Sequence, residues 1–462
     1  MTTPWTTISA SRRTFLRQAS ALSLAGTAAP FALNLASIGA ASASTAADYK
    51  ALVCVFMYGA NDAHNTVVPY DATGYATYAG VRGSLAWSQA QLTPLVPTTP
   101  LPGGRQVALP AELAPIATLF DSGQCAVIAN VGPLIVPTDR TSFNAKSVPL
   151  PPKLFSHNDQ QSVWQASVPE GAKFGWGGRI GDLMAGQNSN QIFTCNSLTG
   201  NAVFLSGQAV QPFQIDPAQG SIAFGALNAN SLYGSAAGAT ALRNALTRPR
   251  THLFESDLRN VNQRSIDSNT ALAAALAIAP TLATPFPANN TLATQLAMVA
   301  KIVSVSAELG AKRQIFMVSL GGFDTHSGQD ATHPALLTQL AGAIDAFQKA
   351  MVELNAAQKV TLFTASDFGR TLTVNGDGTD HGWGGHHFVV GGAVKGKQLV
   401  GSYPDLTANG PTDAGNGRLI PTAAVEQYAA TLARWMGVTP TDIPLILPNI
   451  VNFPMSDLGF MN

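Results

Sequence analysis

At 462 residues, with 26 basic and 26 acidic side chains, the chain carries no net formal charge. That balance excludes the basic footprint of a nucleic-acid binder, so no nucleic-acid partner is expected. Charged residues make up 11% and apolar ones 46%, which excludes global disorder and supplies enough apolar surface for a large core.

The chain opens on a segment that reads as a targeting signal rather than as part of the fold. Arg12-Arg13 precede a weakly apolar run from Ala21 to Ile38, and Ala41-Ser42-Ala43 offers a cleavage site. A charged start, an apolar middle and a small-residue end define an export signal, and the paired arginines make it a twin-arginine signal. Residues 1–43 are expected to be handled by the twin-arginine export machinery, leaving the mature chain periplasmic or secreted. Gly26, Pro30 and Asn34 interrupt the apolar run, so no stable membrane span is expected from it. Its loss removes three of the 26 basic residues and no acidic one, leaving three net negative charges.

Residues 44–462 read as one α/β domain. Lys50 to Met57 is a continuous apolar run and predicts a central parallel strand. It ends in a polar turn holding Asn61, Asp62, His64 and Asn65. Residues 71–110 predict loops, Ala111 to Phe120 a helix and Gln124 to Asn130 the next strand. A short helix is predicted from Ser156 to Trp164, with Ser156 as its N-cap and Asp159 in the capping-box position. Trp176 to Leu183 predicts another. Residues 190–250 are mixed, and 253–310 are Ala- and Leu-rich and helical, so about 190–310 reads as a helical insert or cap. Gln314 to Leu320 and Val360 to Thr364 predict two further strands, with a crossover helix from Ala335 to Asn355 between them. His387 to Gly391 predicts another strand and Thr422 to Met436 a helix. Strand–helix–strand alternation at both ends gives an α/β class with a mainly parallel sheet. Cys54 and Cys125 lie in strand-like runs, where a thiol is a small buried hydrophobe, and with Cys195 they make an odd set that defines no disulfide framework.

Three stretches in the second half concentrate the chemistry: Gly321-Gly322-Phe323-Asp324-Thr325-His326, Ser366-Asp367-Phe368-Gly369-Arg370, and Asp380-His381 through His387. The first two follow strand-like runs, and side chains at the carboxyl ends of parallel strands converge on one crevice. Carboxylate and imidazole together there can grip a hard or borderline cation. Asp324 and His326, two apart, either share a cation or bond to each other in a tight turn. Asp367 is either a ligand, a helix cap or the partner of Arg370. His381 is the preferred ligand of its glycine-rich loop and His386 the reserve, against a plain surface loop. Ser156 is either a simple cap or a nucleophile activated by a metal or base, with His157 beside it. His333 and His252 read as surface or structural residues. There is no Cys-x-x-Cys-His, iron–sulfur spacing or dinucleotide fingerprint, so a redox cofactor is not expected.

These motifs resemble a family of bacterial exported proteins known as domain of unknown function 1501. The resemblance rests on the leader, Gly59-Ala-Asn-Asp-Ala-His-Asn-Thr-Val-Val-Pro69, Ser156-His157-Asn-Asp-Gln-Gln161, Gly-Gly-Phe-Asp-Thr-His326, Ser-Asp-Phe-Gly-Arg-Thr371 and Thr379-Asp-His-Gly382, and it covers nearly all of the mature chain. That family in turn resembles a branch of the alkaline phosphatase and sulfatase superfamily. The resemblance implies a three-layer α/β/α fold, alkaline-phosphatase-like, with a site at the carboxyl edge of its sheet. It implies that Asp62 (or Asn61) stands where the first acid of the superfamily stands, and Ser156 or His157 near the nucleophile. Asp324 and His326 match one metal pair, with His381 completing it, and Asp367 matches the acid of a second pair. Superfamily enzymes often read Ser-Asp-His-Gly where this chain has Phe368, which cannot coordinate a cation. One divalent ion (zinc, calcium, manganese or magnesium) is therefore expected rather than two. The implied activity is hydrolysis of phosphate or sulfate esters. The alternative is a catalytically degenerate relative that binds a small anionic ligand or a cell-envelope partner.

Overall fold

The computed structural model describes residues 48–222 and 231–462, and the expected twin-arginine leader lies outside the described residues. The main sheet is built from Lys50–Met57 (β1), Cys125–Gly132 (β2), Cys195–Ser197 (β3), Phe213–Gln214 (β4), Arg313–Leu320 (β5), Val360–Ser366 (β6), Gly385–Val390 (β7), Gln398–Val400 (β8) and Ala423–Ala424 (β9). The helices of eight residues or more are Ala72–Arg82 (α1), Ala114–Asp121 (α2), His157–Ala166 (α3), Trp176–Met184 (α4), Ala236–Thr247 (α5), Leu253–Ala277 (α6), Thr291–Ser304 (α7), Gln329–Glu353 (α8) and Val425–Met436 (α9).

The strand order is β8-β2-β7-β6-β1-β5-β3-β4, with β9 also pairing with β2. Only β7 runs antiparallel to its neighbours, β2 and β6; the other pairings are parallel. Parallel strands need both faces covered, which is why β1 is apolar at every position after Lys50. Its side chains alternate between two cores. Ala51, Val53, Val55 and Met57 pack with residues of α2, α7 and α8. Leu52, Cys54 and Phe56 pack with residues of α3, α4 and α9 on the other face. The result is the expected three-layer α/β/α arrangement. Each fully buried Val, Leu or Phe in these layers stabilises by roughly 1.5–3 kcal/mol.

The stretch 190–310 is not a separate insert. β3 and β4 extend the sheet edge beside β5, and α7 contributes nine buried residues, Leu292 and Val299 among them. Only α5 and α6 fit the cap description, with largely exposed surfaces. Cys54, Cys125 and Cys195 are buried and free, their thiols pushed up by desolvation. Among the described residues no helix is long and apolar enough to cross a membrane.

Candidate functional site

Register brings the chemistry to one level. Met57 of β1 sits opposite both Leu320 of β5 and Ser366 of β6, so three parallel strands end side by side. Their following loops therefore share the carboxyl edge of the sheet. The β1 and β5 loops are tied by the Phe323 amide donating to the Tyr58 carbonyl at 3.1 Å. Gly59 permits this approach: its φ is +104°, and a Cβ there would run into the amide nitrogen of Asp324. After β6 the chain turns into an antiparallel hairpin of Arg370–Val374 with Thr379–His381, which delivers His381. The start of α3 delivers His157.

Four groups meet there. His381 Nε2 lies 3.0 Å from His157 Nε2 and 2.9 Å from His326 Nε2. Asp324 Oδ1 lies 3.1 Å from His326 Nε2 and 3.5 Å from the Nε2 atoms of both His157 and His381. His157, Asp324 and His381 each offer an atom within 4.8 Å of the others, a grouping able to hold a metal ion. Asp324 and His326 are about half exposed and His157 and His381 a quarter exposed, so the cluster opens to solvent.

The opposite edge of every ring is held by an acceptor. His157 Nδ1 donates to Asp367 Oδ2 at 2.6 Å, His381 Nδ1 to the Phe155 carbonyl at 2.7 Å, and His326 Nδ1 to Asp380 Oδ1 at 3.2 Å. A ring whose Nδ1 carries the proton presents a lone pair at Nε2. Lone pairs turned on one another at these distances repel unless a proton or a metal ion lies between them. One extra proton on His381 Nε2 could point at only one of its two neighbours. The hydrogen bond that His157 donates to Asp367 holds the His157 pKa above its ordinary value, against the pull of burial. Burial lowers that of His381 and favours its neutral form.

Arg370 fixes Asp324. Its side chain is fully buried, and it donates to Asp324 Oδ1 at 2.8 Å, to the Gly59 carbonyl at 3.1 Å, and to the Thr379 hydroxyl and carbonyl. Burial would raise the Asp324 pKa, but the Arg370 hydrogen bond and charge, with His157 and His326, hold it below the usual carboxylate value.

A family profile described as "Protein of unknown function (DUF1501)" matches residues 49–439. The chain belongs to the DUF1501 family. No curated protein matches its sequence. Among solved structures, this DUF1501 chain is similar to Ps i-CgsB at 11% identity, covering 88% of this chain and 77% of that one with a TM-score of 0.35. It is also similar to the PsFucS1 sulfatase from Pseudoalteromonas sp., at 9% identity over 89% and 72% of the two chains with a TM-score of 0.33. A mutant of alkaline phosphatase PafA follows at 10% identity, 71% and 64% coverage and a TM-score of 0.28. Likenesses this weak carry no argument for the site.

In this DUF1501 protein the residues expected at the site divide. Asp324, His326 and His381 come together, and His157 joins them through its ring. Asp367 is not among the grouped donors: its Oδ2 accepts from His157, from Gln161 Nε2 at 2.8 Å and from the Gly59 amide at 3.3 Å, while its buried Oδ1 has no hydrogen-bond partner. It orients a cluster member instead of belonging to it. Asp62 departs further from expectation. It is fully buried, ion-paired with Arg82, bonded by Gln329, and caps a short turn through the His64 and Asn65 amides at 3.1 and 3.4 Å. Burial works against its charge, but Arg82 and its other partners outweigh that and hold its pKa at about 2. Asn61 bonds to Thr66 and His333. Ser156 stands at the N-cap of α3, yet its hydroxyl donates to Asp159 Oδ2 at 2.9 Å and caps no backbone amide.

His386 and His387 turn into the interior. His386 stacks on Tyr403 with centroids 4.9 Å apart, and His387 packs on Trp164. Phe368 lies against the rings of both His157 and His381, centroids 4.9 Å apart in each case, and serves as the cluster's apolar wall. Sequence reasoning missed Asp380, Gln161 and the Phe155 carbonyl. Asp380 had a signal in its place beside His381, and a backbone carbonyl has none.

Proposed function

We propose that this protein is an exported, metal-dependent hydrolase of phosphate or sulfate esters. One observation carries the reading: three imidazole Nε2 atoms and a carboxylate oxygen crowd together, while each Nδ1 is tied back to an acceptor. Metal-bound histidines nearly always donate their other N–H to a carboxylate or carbonyl in this way. Two nitrogens about 2.0–2.1 Å from one tetrahedral ion stand roughly 3.3 Å apart, close to the spacings here. His157, His326, His381 and Asp324 would hold one divalent cation. A donor set of three nitrogens and one oxygen suits zinc, with manganese next, better than calcium or magnesium, which prefer oxygen.

When bound, such an ion polarises an ester oxygen and lowers the pKa of an attacking group. The chain's own residues do the rest. Asp367 and Gln161 set the plane of His157, the Phe155 carbonyl sets that of His381, and Arg370 keeps Asp324 ionised. The first turn of α3 is left without a side-chain cap, so its N–H groups are available to an anion. The superfamily resemblance of the motifs, the Phe368 wall in place of a second ligand set, and the twin-arginine leader all support a one-ion enzyme acting in the periplasm or outside the cell.

One observation favours a second reading, in which a degenerate relative only binds an anionic ligand or envelope partner. The Ser156 hydroxyl is engaged by Asp159 and hydrogen-bonds to no cluster residue. Metal analysis of protein prepared without chelator, followed by a screen of aryl phosphate and sulfate esters with added Zn²⁺, Mn²⁺, Ca²⁺ and Mg²⁺, separates the two. Turnover that disappears in Asp324→Ala supports the hydrolase. Bound metal with silence on every ester supports the binder, and protein that holds no divalent ion would sink the metal centre itself.

A further inference from the structure

Two arginines bond to residues of the cluster, Arg370 to the Asp324 carboxylate and Arg418 to the His381 backbone, and they differ in how many of their donors are used. Arg370 is fully buried, and all three guanidinium nitrogens are engaged by Thr379, Gly59 and Asp324. Arg418 is only partly buried. Its Nε donates to the backbone carbonyl of His381 at 3.0 Å, and its guanidinium carbon lies 4.5 Å from the centre of the Phe155 ring. The Nε bond and the ring face fix the plane of the fork, as stacked arginines are commonly fixed. The two terminal nitrogens have no acceptor among the described residues, and no carboxylate there forms an ion pair with Arg418.

Arg418 is held rigid at one edge by a carbonyl and a ring face, while its terminal nitrogens are left open at the other. It is a good receptor for a planar or tetrahedral oxyanion, which accepts two parallel N–H bonds. Its attachments also place it. Phe155 and His381 are the residues joined by the Nδ1 hydrogen bond, so Arg418 braces the same corner from the side. Unlike Arg370, it makes no ion pair with Asp324. It is attached through the His381 backbone and the Phe155 ring, and it is not one of the four donor groups.

We propose that Arg418 forms an oxyanion subsite flanking the cluster, taking a phosphate, sulfate or carboxylate group of the substrate. Its place as a substrate subsite rests on the hydrolase reading; its capacity to bind an oxyanion does not. The preferred esters then carry a second anionic group a short distance from the one attacked.

Calorimetric titration with inorganic sulfate and with inorganic phosphate tests this, using the whole protein both untreated and stripped with chelator. Arg418→Gln should weaken oxyanion binding by at least about tenfold in the stripped protein, the worth of a charge-assisted pair of hydrogen bonds. Arg418→Lys, which keeps the charge but not the fork, should fall between. Metal content should be unchanged in both variants. Equal binding by wild type and Arg418→Gln overturns the proposal, as does a loss of metal or melting temperature with oxyanion affinity intact, because Arg418 would then be only a brace for His381. Wild type that holds no metal yet binds sulfate through Arg418 leaves the subsite standing and removes the hydrolase.

Discussion

His157 is gripped from one side by Asp367, 2.6 Å from Nδ1, and from the other its Nε2 faces that of His381 at 3.0 Å. Asp367 is fully buried and takes two further donors, Gln161 and the Gly59 amide. The ring therefore has a fixed tautomer and a fixed plane before any ligand arrives. Asp367→Asn should keep the fold and lower affinity for a divalent ion by about 10- to 100-fold, the usual cost of losing an orienting partner. Competition against a fluorescent zinc chelator reads this directly, and unchanged affinity would show that the ring needs no support.

The Asp62–Arg82 pair is a matter of stability, not chemistry. Both side chains are fully inaccessible, and Arg82 also donates to the carbonyls of Thr371 and Leu372 at 3.1 and 3.3 Å. Removing one partner strands a buried charge. Arg82→Met should cost about 3–5 kcal/mol in urea unfolding. The double variant Asp62→Asn, Arg82→Met should lose less than the sum of the single changes. Additive losses would mean the pair is not coupled.

Acid should weaken the fold in two steps. His64 and His333 are fully buried, and desolvation above all pulls their pKa values from 6.5 to about 4. The unfolded chain takes up these protons first, so their contribution is whole above pH ~6.5 and is lost as the pH falls toward 4. Asp62 acts in a lower window. Its folded value of about 2 lies below its ordinary 3.8, so its contribution is present above pH ~3.8 and lost as the pH drops through 2. Urea midpoints measured from pH 7 to 4 should decline steadily, and a flat profile there would contradict neutral, buried rings.

Gly59→Ala should disrupt the site more than the sheet. The position combines a φ of +104° with backbone of the Asp324 loop where a Cβ would sit. The substitution forces the β1 and β5 loops apart and moves Asp324 away from the three rings. A sharp loss of divalent-ion affinity with a change in melting temperature of only a few degrees is expected. Metal affinity equal to wild type would show that the two loops tolerate separation.

The strands that build the site are legible because β1 is an unbroken apolar run after Lys50 and β5 and β6 are mainly apolar, β-branched and aromatic segments, each ending in a polar, glycine-containing turn. That Met57, Leu320 and Ser366 end at one level is not, since register is a property of pairing and not of any one segment. The same limit explains Asp62 and Asp367. Each reads as a strand-end acid, and nothing local says that one will meet Arg82 on a later helix and the other the ring of His157. Resemblance puts His157 beside a nucleophile, while its geometry puts it in the cluster. The sheet edge at 195–197 and 213–214 reads as insert in the sequence because two- and three-residue strands carry no period to detect.

Of the four clustered side chains, only His157 lies in the first 320 residues of the chain. A growing polypeptide consequently cannot assemble this cluster until residues 324–381 have been synthesised and packed against the start of α3. On the metal-binding reading any ion would arrive at a nearly finished molecule, and a premature stop before residue 324 would leave only His157 of the four.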